Sequence, residues 1–167
     1  ELTVQRLSDA LCVEFPSVPM VAIDHLAGVE QALGVDVVSM HQPEENAWQM
    51  VCELANQAAV EACEPDFSAL AEATELGVAV TAKGDTHDFV SRFFIPQLGI
   101  NEDPVTGSAH CQLAPFWAAK LGKSRLLARQ LSSRGGDLTC ELKGNRVQLS
   151  GNCSLFAEGV LHLPSAE

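Results

Sequence analysis

Positive charge is scarce in this sequence. Ten lysines and arginines stand against 22 aspartates and glutamates, for a net charge of −12. A surface of that sign repels phosphate backbones and anionic lipid, so nucleic acid and membranes are disfavoured as partners. A small anionic molecule is not excluded, because the N–H groups at a helix start attract a carboxylate without any nearby cation. The six cysteines, at 12, 52, 63, 111, 140 and 153, form no CxxC pair, and no secretory signal is visible. They read as scattered core thiols of a cytoplasmic protein. No apolar run approaches the ~20 residues that a membrane span needs. Fixed-period repeats and low-complexity tracts are also missing, which removes solenoids and disordered linkers from consideration.

Hydrophobic residues make up 47% of the 167 positions, enough for one compact domain with a sizeable core. The chain opens at Glu1 directly in a strand-like alternation (Leu2, Val4, Leu7, then Leu11, Val13, Phe15), and we expect further chain upstream. The pattern predicts two strands over 1–15 around a turn at Ser8–Asp9, and a linker at Pro16–Pro19. It then predicts a helix from Asp24, as N-cap, to Gly34; a strand at Val35–Met40; a polar turn at His41–Asn46; and strands at Trp48–Leu54 and Ala58–Cys63. A second helix starts at Asp66 or Ser68 and ends at Gly77, followed by a buried strand at Val78–Ala82. A strand at Phe89–Phe94 leads through Ile95–Pro96 into a loop. An apolar helix runs from Gly107 to a stop at Gly122. Strands at Leu126–Ser132, Asp137–Leu142, Arg146–Leu149 and Phe156–Leu163 complete the reading. Many strands and few helices indicate an α+β fold, a curled and mostly antiparallel sheet wrapped around a central helix, with 107–121 as that helix.

The run from Glu102 to Cys111 (EDPVTGSAHC) carries the most chemistry. A carboxylate, Asp103, stands ahead of a turn, and Thr106, Gly107 and Ser108 place small residues where a buried helix begins. The first N–H groups of that helix have no intrahelical acceptor and carry partial positive charge. Gly107 leaves room for a guest, and Ser108 adds a hydroxyl. The same pattern also reads as an ordinary helix cap by Asp103 or Thr106.

Ser91-Arg92-Phe93-Phe94-Ile95-Pro96, Gly99-Ile100, Glu102 through Ala109, Gln130 through Gly136, and Arg146-Val147 through Gly151 together resemble the phenazine-biosynthesis PhzF-like isomerases. Those proteins share the fold of diaminopimelate epimerase: two lobes, each a curled sheet around a helix, with the active site between them. The resemblance implies cofactor-independent proton transfer on a small carboxylated metabolite, with neither metal nor organic cofactor. It places Asp103 as the catalytic acid of the second lobe. Thr106, Gly107 and Ser108 become the substrate-carboxylate site, with His110 as a further substrate contact. It also assigns residues 1–16 to the end of a first lobe and 17–167 to the second, with the final strand crossing back toward the first. The family's first-lobe glutamate, ahead of a Gly-Asn-Pro stretch, has no counterpart here, and Glu44 and Glu45 are poor substitutes. The chain alone is therefore expected to be inactive, and to pair with a first lobe or with itself as a dimer. The rival reading is a non-catalytic binding or scaffold protein of the same fold.

The remaining candidates have plainer readings. His110 and Cys111 are adjacent, so on a helix they point about 100° apart and do not suit one metal ion. Arg92 reads as a structural ion-pair partner, Arg134-Gly135-Gly136 as a turn, and Trp48 and Trp117 as core. Of Phe93 and Phe94, one is expected to be buried and the other to face a sister lobe.

Overall fold

The computed structural model describes residues 3–8, 10–44 and 48–160. The chain runs β1 (Thr3–Arg6), β2 (Leu11–Pro16), β3 (Met20–Ile23), α1 (Ala27–Leu33), β4 (Val37–Pro43), β5 (Gln49–Leu54), α2 (Gln57–Glu61) and α3 (Phe67–Ala73). It continues with β6 (Gly77–Lys83), β7 (Phe89–Ile95), a 3-10 turn at Pro96–Leu98, β8 (Ile100–Glu102) and α4 (Gly107–Leu121). β9 (Arg125–Gln130), β10 (Gly136–Lys143) and β11 (Arg146–Gly151) follow. One sheet takes the order β1-β2-β11-β10-β9-β7-β6-β5-β4-β3, with β8 added beside β7. Its pairings are antiparallel except for β5 with β6 and β7 with β9. The fold is α+β, a curled sheet around α4, as the sequence pattern indicates.

The curl follows from chain length. β2 lies second in the sheet and β3 at the opposite edge, eight interstrand steps away. Laid flat, eight steps would separate them by about 38 Å. Only Ser17, Val18 and Pro19 join them, and a chain of that length reaches about 14 Å at most. The sheet therefore bends until its flanks nearly meet, and α4 fills the interior. The link is tied to the helix. Pro115 lies within α4 and has no N–H to give to the Cys111 carbonyl one turn earlier. The Val18 N–H takes that acceptor instead, at 3.0 Å, while the Ser17 N–H reaches the Asn145 carbonyl at 2.8 Å.

The central strands are covered on both faces. Val78, Val80 and Ala82 of β6 join Val90 and Phe94 of β7 in a core closed by α1, α2 and α3. Ala79, Phe89 and Phe93 point the other way, to Leu113, Phe116 and Trp117 of α4. Two-sided burial explains why these strands read as continuous apolar runs rather than alternations. Trp117 stacks on Phe89 with ring centroids 6.0 Å apart, and its indole N–H donates to Thr81 Oγ1 at 2.9 Å. Burying each such side chain stabilises the fold by roughly 1.5–3 kcal/mol, provided its polar tip finds a partner.

Several local expectations are corrected. Asp24 does not cap α1; Leu26 occupies the N-cap without a side-chain bond, while Gly34 ends the helix at φ 67° as expected. Ala58–Cys63 is not a strand: Asn56 caps α2 by accepting the Ala59 N–H at 2.9 Å, and the three alanines among these six residues favour the helix that the cap starts. His41–Pro43 belong to β4 rather than to a turn, and Met20–Ile23, read as no element, pairs with that segment. Asp66 caps α3 as expected, but the helix ends at Ala73 with Thr74 as C-cap, and Gly77 instead opens β6 by pairing with Gln49, where an added Cβ would strike Phe93 at 2.4 Å. Residues 156–160 form no strand and are exposed; 161–163 lie outside the described residues, as do Asp9 and Glu45. Trp48 is 49% exposed rather than core. Phe93 and Phe94 are both buried, on opposite faces, because each face has its own helical cover.

Candidate functional site

Strand β7 delivers the chain to the site, and Arg92 anchors the turn that follows. Its Nε and Nη2 donate to the two carboxylate oxygens of Glu102 at 2.7 and 3.0 Å, and Nη1 donates to the Cys63 carbonyl at 2.6 Å. The guanidinium lies 5.0 Å from the Phe94 ring centre. This two-pronged pair fixes the residue just before Asp103, and Arg92 is the structural partner that the sequence suggested. The Asp103 N–H then returns to the Phe93 carbonyl at 3.0 Å.

The loop 103–106 is held from the other side by the end of β9 and the turn after it. Gln130 is completely buried. Its Oε1 accepts the Thr106 N–H at 2.8 Å, and its Nε2 donates to the Asp103 carbonyl at 2.7 Å and to Thr106 Oγ1 at 3.1 Å. Thr106 Oγ1 donates in turn to Asp103 Oδ2 at 2.5 Å. Ser132 donates to the Pro104 carbonyl at 2.7 Å and accepts the Gly135 N–H at 3.0 Å. Gly135 makes that turn at φ 67°. Gly136 lets Val105 close in: a Cβ there would sit 2.5 Å from Val105 Cγ2.

Thr106 is the N-cap of α4, and its side chain makes no capping bond. Both its donors are engaged inside the protein, the N–H by Gln130 and the hydroxyl by Asp103. Among the described residues, no side chain accepts from the first-turn amides of Gly107, Ser108 and Ala109. The helix start consequently remains an electropositive end beside a carboxylate. A Cβ on Gly107 would meet only Leu149 Cδ1, at 4.0 Å, so the fold's own packing does not demand glycine there. Ser108 is half-buried; its carbonyl accepts from Gln49 Nε2 at 3.1 Å, which leaves its hydroxyl free of any partner among the described residues.

His110 has no exposed surface. Its Nδ1 donates to the Thr106 carbonyl at 2.7 Å, and its ring packs 5.9 Å from Phe89. Burial holds its pKa below the ordinary imidazole value, so the ring is neutral and Nε2 faces the interior unpartnered. Cys111 lies inside α4, where burial pushes its thiol up to about 11. A cleft of about 660 Å³ lies elsewhere, between the β1–β2 hairpin and residues 153–157. It is lined by Arg6, Leu7, Leu11, Leu155 and Phe156 among others, and by none of the residues at the helix start. Among the described residues that line it, Arg6 is the one charged side chain, so the cleft brings together no pair of ionised groups. The roles of Gln130, Ser132 and Gly136 escaped the sequence reading. The available signal was a glutamine closing the otherwise apolar-facing strand Arg125–Gln130, since a buried amide requires nearby partners.

The family model for phenazine biosynthesis-like protein matches residues 11–159. The chain belongs to the PhzF-like family. It is 44% identical over 162 residues to an uncharacterized isomerase of Pseudomonas aeruginosa, covering 97% of this chain and 61% of that protein. A second uncharacterized isomerase of the same organism is 41% identical over 163 residues, covering 98% of this chain and 61% of the other. The crystal structure of a PhzF family phenazine biosynthesis protein from Enterococcus faecalis superposes with a TM-score of 0.87 at 43% identity, covering 97% of this chain and 61% of that one. The chain thus spans 61% of the length of these PhzF-like relatives.

Proposed function

We propose that this chain is the second lobe of a PhzF-like isomerase that moves a proton between carbons of a small carboxylated metabolite without a cofactor. One observation carries the proposal: Asp103 is held by Thr106 beside a helix start whose amides at Gly107 and Ser108 are uncapped. Removing a proton from a carbon conjugated to a carboxylate drives negative charge onto the carboxylate oxygens. A preorganised helix terminus stabilises that charge more as it grows, which lowers the barrier rather than merely binding the ground state. In this reading Gly107 and Ser108 hold the substrate carboxylate, and Asp103 orients the substrate or assists the proton transfer. Thr106 and His110, whose donors point inward, support the cradle from behind.

The reading needs a second carboxylate across the substrate, supplied by the additional length that the relatives possess. The 167-residue chain alone is therefore inactive, and the face meeting that lobe seeks a partner, either the lobe or a second copy. The decisive experiment expresses the chain with its natural upstream segment and screens carboxylated, unsaturated metabolites for solvent deuterium uptake. Asp103→Asn should abolish the uptake. Undiminished exchange in Asp103→Asn would remove Asp103 from the chemistry, and turnover by the isolated chain would remove the need for a second lobe.

A further inference from the structure

We infer that Gln130 and Thr106 are positioning residues for Asp103, and that the Thr106 hydroxyl serves this carboxylate rather than the substrate. The inference rests on the role given to Asp103 above. The direction of every hydrogen bond in the group follows from chemistry alone. A backbone N–H can only donate, so the Gln130 atom 2.8 Å from Thr106 N is the carbonyl Oε1. A backbone carbonyl can only accept, so the Gln130 atom 2.7 Å from Asp103 O is Nε2. The second amide hydrogen is then directed at Thr106 Oγ1, 3.1 Å away. That hydroxyl, already accepting, has its single proton for Asp103 Oδ2 at 2.5 Å. The relay therefore runs one way, from Gln130 through Thr106 to Asp103.

The consequence is a division of labour within one carboxylate. Oδ2 is held from inside, while among the described residues no donor reaches Oδ1, which is left for substrate. Gln130 is fully buried, and its three side-chain bonds all go to the segment 103–106. An amide buried without such bonds would cost more than a leucine of similar size. Gln130 thus couples the end of β9 to the acid, and it fixes the acid's backbone carbonyl and its side chain at once.

Two measurements test this. In NMR spectra of the labelled 167-residue chain, the Thr106 hydroxyl proton should be resolved and slow to exchange, with a cross-peak to Asp103. Gln130→Met should speed its exchange at least about tenfold, as expected for losing one to two hydrogen bonds. A wild-type hydroxyl that exchanges like that of an exposed threonine overturns the inference. In the two-lobe protein, assayed with whichever carboxylated compound shows deuterium uptake, Thr106→Val should lower kcat about 10- to 100-fold, the scale of a misplaced catalytic group. KM should stay within about twofold, and Thr106→Ser should restore the rate. A raised KM with kcat intact would mean that the hydroxyl binds substrate, contrary to the inference. Exchange that survives Asp103→Asn defeats the proposed function instead, and the hydroxyl signal is then judged by itself.

Discussion

Replacing Gly136 with alanine probes the loop that carries Asp103 without touching any polar group. The new Cβ would lie 2.5 Å from Val105 Cγ2, 3.4 Å from Cγ1 and 3.5 Å from Cβ. Carbon atoms rest about 3.5–4.0 Å apart, so the Val105 side chain must retreat by about 1 Å. Valine is stiff about χ1 and has no second rotamer to escape into cheaply, so the backbone between Pro104 and Thr106 must move. Overpacking of this kind costs about 1–3 kcal/mol. The φ of Gly136 is not in the left-handed region, so no backbone strain is added to the contact. Urea unfolding of Gly136→Ala should therefore show a loss in that range, and the Thr106 amide should exchange faster as its bond to Gln130 lengthens. Because Val105→Ala deletes the clashing methyl, the double variant should recover most of the loss. In the double-mutant cycle this appears as a coupling of about 1 kcal/mol or more. An unchanged midpoint in Gly136→Ala, or purely additive effects in the cycle, would refute the close packing of Val105 on the 132–136 turn.

Gly107→Ala should fold normally, within about 1 kcal/mol of the parent in urea titration, because its Cβ meets nothing closer than 4.0 Å. If the proposed function holds, the proposed two-lobe protein carrying it should nonetheless lose carboxylate binding, as judged by calorimetry with an exchanging compound. Two histidines make stability fall in mild acid. Burial lowers the pKa of His41, with the Lys120 cation adding to the effect, and burial likewise lowers that of His110. The folded state then binds fewer protons than the unfolded one below about pH 6.5, so their contribution is complete above that pH and is lost as pH falls through the folded values. Unfolding curves from pH 7.5 to 5 should show the decline, with a shallower slope in His41→Asn. Thiol labelling under native conditions at pH 7.5 should modify Cys153 alone, since the other five cysteines are buried. Burial pushes Cys52 and Cys140 up to about 12 and Cys63 up to about 11, which removes the reactive thiolate. Mass spectrometry should count six modified thiols after denaturation; native modification of Cys52 would contradict the packing of the core closed by α1, α2 and α3.

The helix at 107–121 was legible because glycine stops it and its apolar residues continue on all sides. The strands at 78–82 and 89–94 were legible because two-sided burial produces unbroken apolar runs. Where a short element depends on a cap or a neighbour, the pattern misled: Asn56 turns an apolar stretch into α2, and Met20–Ile23 becomes a strand only because β4 lies beside it. At the site, the loop and the helix start could be read from the run of small residues after Asp103. That Gln130 supports this loop could not be read locally, because it lies 27 residues beyond Asp103 and only the parallel pairing of β7 with β9 brings its strand alongside. Local sequence shows which groups can react, whereas long-range pairing decides which groups hold them.

The short strap from Pro16 to Met20 also bears on how the molecule could come apart. Its Val18 amide plugs the one carbonyl that a mid-helix proline leaves open, and the strap itself keeps two distant margins of the sheet from drifting outward. A single cut there would open the hoop and orphan a buried acceptor in the same event. Loosening of the outer rim and loosening of the inner rod should thus occur together, so the rod could not fray from its middle while the rim stays shut.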